Sequence, residues 1–413
     1  MLTKRDPVHE TDEEGRFQAA AWNVDGTCRR TTGLRAVLLG IGDGVSKKKM
    51  MMLLVATVVA VVLGAAATAL AADPNHDNDS ATKGTPGKGH AGKNKDFAGL
   101  VDIGGGREMY MECRGKGSPT VVFVSGAGDR TETWSTTLDP SGQPVFPSER
   151  AVLPAIAETN RVCAYDRPGT LLATGEGIED FEPSRSDPVD QPTTLEDGAR
   201  DLHALLSASG ERGPYVVVAH SMGGAMARLY ASEHPEEVSG LVLVDYTPYE
   251  ARKALTDEEW GYWKDPLLGG APPDEALALY PDLEWFDHQL NLEQALDAKK
   301  LKPMPFVVFQ SDEPFDLTPY VEDGSLPMTV EEAEEFRKLL FRAWREAMAD
   351  LVSQVPGARF ITETHSGHYI HQEQPQLVID SVREVVDAAR KKSCALGVKN
   401  HGQCVKALKH AQR

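Results

Sequence analysis

The chain has 413 residues, 41% hydrophobic and 25% charged, a balance that fits one globular catalytic domain of about 300 residues with tails rather than two domains. Its net charge of −19 excludes a nucleic-acid partner, since phosphate binding needs a basic face. Acidity of this size instead keeps an exported protein soluble.

Residues 1–44 show neither sustained periodicity nor an export pattern, and read as a non-native extension ahead of a true start near Val45. Residues 45–72 carry a targeting signal: Lys47, Lys48 and Lys49, an uncharged apolar run from Met50 to Leu63, then the small residues Ala69 and Ala71 flanking Leu70. This is a signal peptide or, because Met50 to Ala72 is long enough to span a bilayer, an uncleaved anchor. Either way the lysines stay inside and everything after Asp73 is exported, either secreted or associated with the membrane or cell wall through the N-terminus. Residues 73–96 are rich in Gly, Lys, Asn and Asp without apolar periodicity, and read as a disordered linker.

Ordered structure is expected from Phe97. Leu100–Ile103 and Met109–Cys113 form a hairpin around Gly104, Gly105 and Gly106, and Thr120–Val124 is a buried strand. It leads into SGAGDR (125–130), where glycines on both sides of Ala127 let backbone N–H groups face a cavity. Val145–Glu158 reads as a helix, Arg161–Tyr165 as a buried strand, and the acidic, proline-containing segment Thr170–Gln191 as a long surface loop. Thr194–Ser209 is an amphipathic helix.

The segment PYVVVAHSMGG (214–224) is a buried strand that turns at Ser221 into a helix. Such a turn strains the serine backbone, and only small neighbours make it tolerable; here they are Ala219, where Gly is usual, and Gly223. The helix behind Ser221 points its amino end at the turn and favours negative charge there. Leu241–Val244 is the next strand and ends at Asp245. Residues 246–303 break the alternation of strand and helix: they hold Trp260, Tyr262, Trp263, Trp285 and Phe286 among prolines and acidic helices, as a cap would, and a cap lined by such rings prefers an apolar substrate. Phe306–Phe309 is a strand followed by SDEPFD (311–316), Thr329–Val355 a long helix, Arg359–Ile361 the last strand, and Pro375–Lys391 a closing helix. In the basic tail 393–413, Cys394 and Cys404 flank a short polar loop and suit a local disulfide.

The segments RVCAYDRPG (161–169), GPYVVVAHSMGG (213–224), GLVLVD (240–245) and SGHYI (366–370), in this order, resemble the α/β-hydrolase superfamily, and within it a group of exported, actinobacterial-type hydrolases related to esterases. The resemblance covers about residues 97–392. It implies an α/β fold with a mostly parallel eight-stranded sheet flanked by helices and a helical cap insertion over about 246–303. In that fold the second and fourth strands are neighbours, so Cys113 and Cys163 either form a bridge or remain two buried thiols.

The family's order of nucleophile, acid and histidine, each at the carboxyl end of a strand, falls on Ser221, an aspartate and a histidine. A serine hydroxyl needs a base. His368 is the expected base, in a short turn after the last strand, with His365 the alternative. Asp312, in the loop after the seventh strand, is the expected acid; Asp245 competes from the end of the sixth, followed by Glu313 and Asp316. The N–H groups of Ala127 and Met222 would meet the oxyanion. Relatives that cleave carbon–halogen bonds or epoxides use an aspartate where this chain has Ser221, so the resemblance implies acyl transfer to water, with a small apolar acyl substrate. No metal or organic cofactor is implied, because no His, Cys and Asp cluster at ligand spacing stands out. An exported acyltransferase and a non-catalytic wall-binding protein that keeps the fold are the alternatives, and a monomer is expected.

Overall fold

The computed structural model describes residues 95–175 and 179–395. The N-terminal extension, the targeting signal, nearly all of the linker and Cys404 lie outside them. Among the described residues no helix is long and apolar enough to cross a membrane.

Eight strands form the central sheet: β1 (Phe97–Gly104), β2 (Arg107–Arg114), β3 (Val121–Val124), β4 (Val162–Tyr165), β5 (Tyr215–His220), β6 (Val238–Val244), β7 (Phe306–Phe309) and β8 (Arg359–Ile361). Their spatial order is β1-β2-β4-β3-β5-β6-β7-β8. The first three pair antiparallel, and every pairing from β4 to β8 is parallel. The β1–β2 hairpin turns on Gly104, Gly105 and Gly106, all at positive φ, a conformation that only glycine adopts without strain.

Strands β3, β4 and β7 are buried along their whole length, as a parallel sheet covered on both faces requires. Alternate residues enter opposite layers. Val122, Val124, Val217, Leu241 and Val308 face the layer built by α2 (Leu195–Ser209), α3 (Ser221–Glu233) and α7 (Val330–Ser353). Val121, Phe123, Val218, Val242 and Phe309 face Trp134, α1 (Val152–Ala157) and α8 (Pro375–Ala395). Thr194 opens α2 and Thr329 opens α7, each in a reciprocal capping box, with Asp197 and Glu332 respectively.

Two local expectations give way. The helix expected over Val145–Glu158 is confined to α1, because Pro147 disfavours helical backbone at Phe146, and Pro144–Val145 instead pairs with Thr137–Leu138. The surface loop expected over Thr170–Gln191 contains an antiparallel pair, Leu171–Ala173 with Phe181–Pro183, and Arg185 returns from it to hold Asp166. Between β6 and β7 the chain forms α4 (Asp257–Tyr262), a π-helical turn at Trp263–Leu267, α5 (Asp274–Leu279) and α6 (His288–Asp297).

Cys113 and Cys163 lie directly opposite each other on β2 and β4 and form a disulfide. The bridge closes a loop with a sequence separation of 50, for which chain entropy gives roughly 2–4 kcal/mol. A Cys113→Ser, Cys163→Ser double variant is therefore expected to unfold at lower urea than the oxidised protein. Added reductant should lower the wild-type midpoint by more than the variant's; equal midpoints throughout would show that the bridge carries no stability.

Candidate active site

The site forms where β3, β5, β6 and β8 deliver their carboxyl ends. The strand-to-helix turn places Ser221 at φ 52, a left-handed conformation that a serine adopts only under strain. A Cβ on Gly223 would lie 2.1 Å from the Ser125 carbonyl oxygen, so the close approach of α3 to the 125–130 loop requires glycine there. The Thr247 N–H donates to the Ser221 carbonyl (3.1 Å) and fastens the turn from the β6 side.

Ser221 Oγ stands 2.9 Å from His368 Nε2, and His368 Nδ1 is 2.7 Å from Asp245 Oδ2. Asp245 is 2% exposed, and it also accepts hydrogen bonds from the Ser311 N–H (2.9 Å) and the Ser311 hydroxyl (3.0 Å). With three donors aimed at it, the carboxylate is fixed in orientation and so is the imidazole that it holds. The structure thus brings Ser221 and His368 together as expected, but with Asp245 rather than Asp312 as the carboxylate partner.

Asp312 has different work. It accepts from the Thr364 hydroxyl and the Ser366 N–H, each at 3.1 Å, and so pins the loop on which His368 sits. His365, the alternative base, is 83% exposed and faces Asp312 at 3.6 Å instead of the serine. Ser311 takes the position at the end of β7 from which an acid was expected, and points it at Asp245. The difference is a matter of one strand end, which spacing along the chain does not resolve.

Ala127 and Met222 line the same cavity as Ser221 and His368, a space of about 220 Å³. Its walls are largely apolar: Trp263, Leu267 and Leu268 come from the 246–303 segment, but Phe315 comes from the loop after β7, Tyr320 from the short helix Thr318–Glu322 and Trp344 from α7. Trp260 and Tyr262, expected in the same aromatic group, pack away from it, Trp260 on Trp263 and Tyr262 on Phe336. Trp285 and Phe286 line a smaller adjoining cavity of about 80 Å³ that shares Ala127 and Leu268 with the first.

Two residues outside the expected set hold the 125–130 loop. Arg167, 5% exposed, donates to both oxygens of Glu284 (2.7 and 2.9 Å) and to the Ser125 and Gly126 carbonyls (2.7 and 2.5 Å). Glu284 in turn accepts from the Gly128 N–H at 2.8 Å. The only trace of this in the sequence is the DRPG run at 166–169, where Gly169 lets the 282–284 backbone approach to a point that a Cβ would block.

Several ionisable groups surround the relay. Burial lowers the pKa of His371 to about 3 and that of His220 well below its ordinary value, so both rings beside His368 are neutral. Among the described residues, two groups gather three potential metal ligands. One contains the disulfide-bonded Cys113 and Cys163. The other, His203, His234 and Glu237, lies at the far end of α3 from Ser221, and its imidazoles stack face to face with 7° between their planes.

Asp129 lines the cavity, and burial pushes its carboxyl up to about 7 against the pull of Arg167. An acid whose pKa rises on folding holds its proton more tightly in the native state; its contribution to stability is complete below 3.8 and lost as pH climbs to about 7. Asp129→Asn escapes that loss. Its melting temperature should rise relative to wild type between pH 4 and pH 8, by an amount equivalent to at most about 4 kcal/mol. A difference that stays constant across this range would remove the assignment.

A profile described as "Alpha/beta hydrolase family" matches residues 121–381. Over 331 residues the chain is 20% identical to an AB hydrolase superfamily protein of Gibberella zeae, covering 70% of this chain and 94% of that one. A 54-residue stretch is 46% identical to Lipase LipV of Mycobacterium tuberculosis, 13% of this chain and 20% of that protein. Among solved structures it is similar to carboxylesterase CesB from Bacillus subtilis, at 16% identity and a TM-score of 0.38 over 70% of this chain and 91% of that one. The profile match takes in more than half of the residues, from β3 through the strand-to-helix turn into α8, and the chain belongs to the alpha/beta hydrolase family.

Proposed function

We propose that this protein is an exported serine hydrolase that cleaves carboxylic esters through an acyl-enzyme. The observation that carries the reading is the unbroken relay from Ser221 Oγ through His368 to Asp245, at 2.9 and 2.7 Å. In it, His368 Nε2 takes the serine proton as Oγ attacks the ester carbonyl carbon, and Asp245 stabilises the imidazolium through Nδ1. The carbonyl oxygen becomes an oxyanion, met by the N–H groups of Ala127 and Met222 and by the amino end of α3. Collapse expels the alcohol, which leaves with the proton from His368. Water then repeats the sequence on the acyl-serine and releases the acid.

The apolar walls favour a small apolar acyl group, and the 246–303 segment is read as a cap over an alpha/beta hydrolase domain of residues 97–392. Export fits the Cys113–Cys163 bridge, which persists in oxidising compartments. A binding protein that keeps only the fold has no need of a serine held in a strained turn within hydrogen-bond reach of an imidazole.

A fluorophosphonate probe should label the protein covalently and fail to label Ser221→Ala; no labelling of the folded wild type would sink the hydrolase reading. On p-nitrophenyl esters of rising chain length, the rate should climb until the cavity is filled and then fall. Asp245→Asn should reduce kcat by about 10³–10⁴, the range set by losing the carboxylate that fixes the imidazole tautomer. Asp312→Asn, which touches the loop and not the ring, should cost less than about tenfold. The reverse ranking would return the acid to Asp312.

A further inference from the structure

Two buried polar atoms beside the serine have no hydrogen-bond partner among the described residues: Asp129 Oδ2 and His220 Nδ1. They face each other at 4.0 Å, too far for a hydrogen bond, and both residues line the Ser221 cavity. Between them lies Gly126; a Cβ there would stand 2.8 Å from His220 Nδ1 and 3.2 Å from Asp129 Oδ2, so any larger residue would close the gap.

The protonation of His220 follows from its other nitrogen. Nε2 lies 3.0 Å from the His368 carbonyl oxygen, which can only accept, so Nε2 carries the hydrogen and the neutral ring presents a bare lone pair at Nδ1. The Asp129 carboxyl is steadied by a hydrogen bond from Tyr369, and since burial brings it to about 7, near neutrality it can accept or donate. One oxygen or nitrogen at about 2.8–3.0 Å from both atoms would see them about 90° apart, close to the angle between two hydrogen bonds at one hydroxyl or amine. Burying such atoms unpaired costs free energy that a ligand's hydrogen bonds recover.

We propose that Asp129 and His220 form a polar subsite that selects esters carrying a hydrogen-bond donor, such as a hydroxyl, near the scissile bond. The inference rests on the hydrolase reading and narrows its substrate from plain apolar esters to hydroxylated ones. The short chain distances from Gly126 to Ala127 and from His220 to Ser221 put the subsite within a few bonds of the reacting carbonyl. Either the acyl chain or the alcohol can bring the donor there.

The test compares hydroxyl with methoxy, which keeps the oxygen and loses the donor. One arm uses p-nitrophenyl 2- and 3-hydroxybutyrates against their methoxy analogues; the other uses 2-hydroxyethyl against 2-methoxyethyl butyrate, followed by acid release. In wild type, kcat/KM should favour the hydroxyl by at least about tenfold in one arm, which then identifies the side that carries the donor. In Asp129→Ala and in Asp129→Asn that ratio should fall toward one, whereas general damage to the site would slow both members of a pair alike. Fluorophosphonate labelling of Ser221 certifies that each variant retains a folded site. A labelled wild type with ratios near one in both arms, or variants that keep the preference, would overturn the subsite; a wild type that resists labelling removes the hydrolase reading itself.

Discussion

The bidentate pair between Arg167 and Glu284 is the constraint on which the site depends. Arg167 comes from the loop after β4, Glu284 from the segment between β6 and β7, and both grip the 125–130 loop after β3: Arg167 by the carbonyls of Ser125 and Gly126, Glu284 by the N–H of Gly128. A buried ion pair adds little stability over apolar packing, but loss of one partner strands the other and costs about 3–5 kcal/mol. Its consequence here is geometric. With the Ser125 and Gly126 carbonyls before it and the Gly128 N–H after it tied down, the Ala127 N–H has little freedom, which suits the proposed oxyanion role, since such a donor is useful only if it is aimed before the charge develops.

The same economy appears at the relay. Each partner of His368 is held by something that is not itself reactive: Ser221 by the turn and the Thr247 N–H, Asp245 by Ser311, and the histidine loop by Asp312. Three strand ends, β5, β6 and β8, supply the relay, and β7 supplies the supports of Asp245 and of the histidine loop. Because β7 lies between β6 and β8 in the sheet, its loop can reach both neighbours at once.

Much of this was legible in the sequence. The valine-rich runs, the glycine hairpin and the strained serine turn each report a local preference, and local preferences agree with the fold along the chain. Ser221 and His368 were legible for the same reason, since each sits in a short turn with small neighbours. The choice between Asp245 and Asp312 was not, because both follow buried strands by a few residues and only the lateral placement of β6 and β7 decides which reaches Nδ1. Arg167 and Glu284 are 117 residues apart, and no spacing rule links them. The cavity walls were half legible: aromatics in 246–303 announced an apolar lining, but Trp344 is one ring on a long amphipathic helix and carried no sign that it faces the serine.

The pairing of His368 with Asp245 changes what the loop after β7 is free to do. Had Asp312 been required against the imidazole, the chain from Ser311 to Leu317 would have been drawn toward the relay. With Asp245 in that role, Asp312 serves the histidine loop, and the residues beyond it extend over the cavity, where Phe315 and Tyr320 complete the wall begun by Trp263 and Leu268. That wall leaves Asp129 Oδ2 and His220 Nδ1 as unpartnered polar atoms beside the serine in a largely apolar lining. In a cavity of that kind, orientation is set by the few groups that can form a hydrogen bond, because apolar contact is indifferent to rotation. On the proposed ester-hydrolase reading, discrimination among substrates should arise at the 126–129 turn, and the aromatic wall should govern how much acyl chain is admitted.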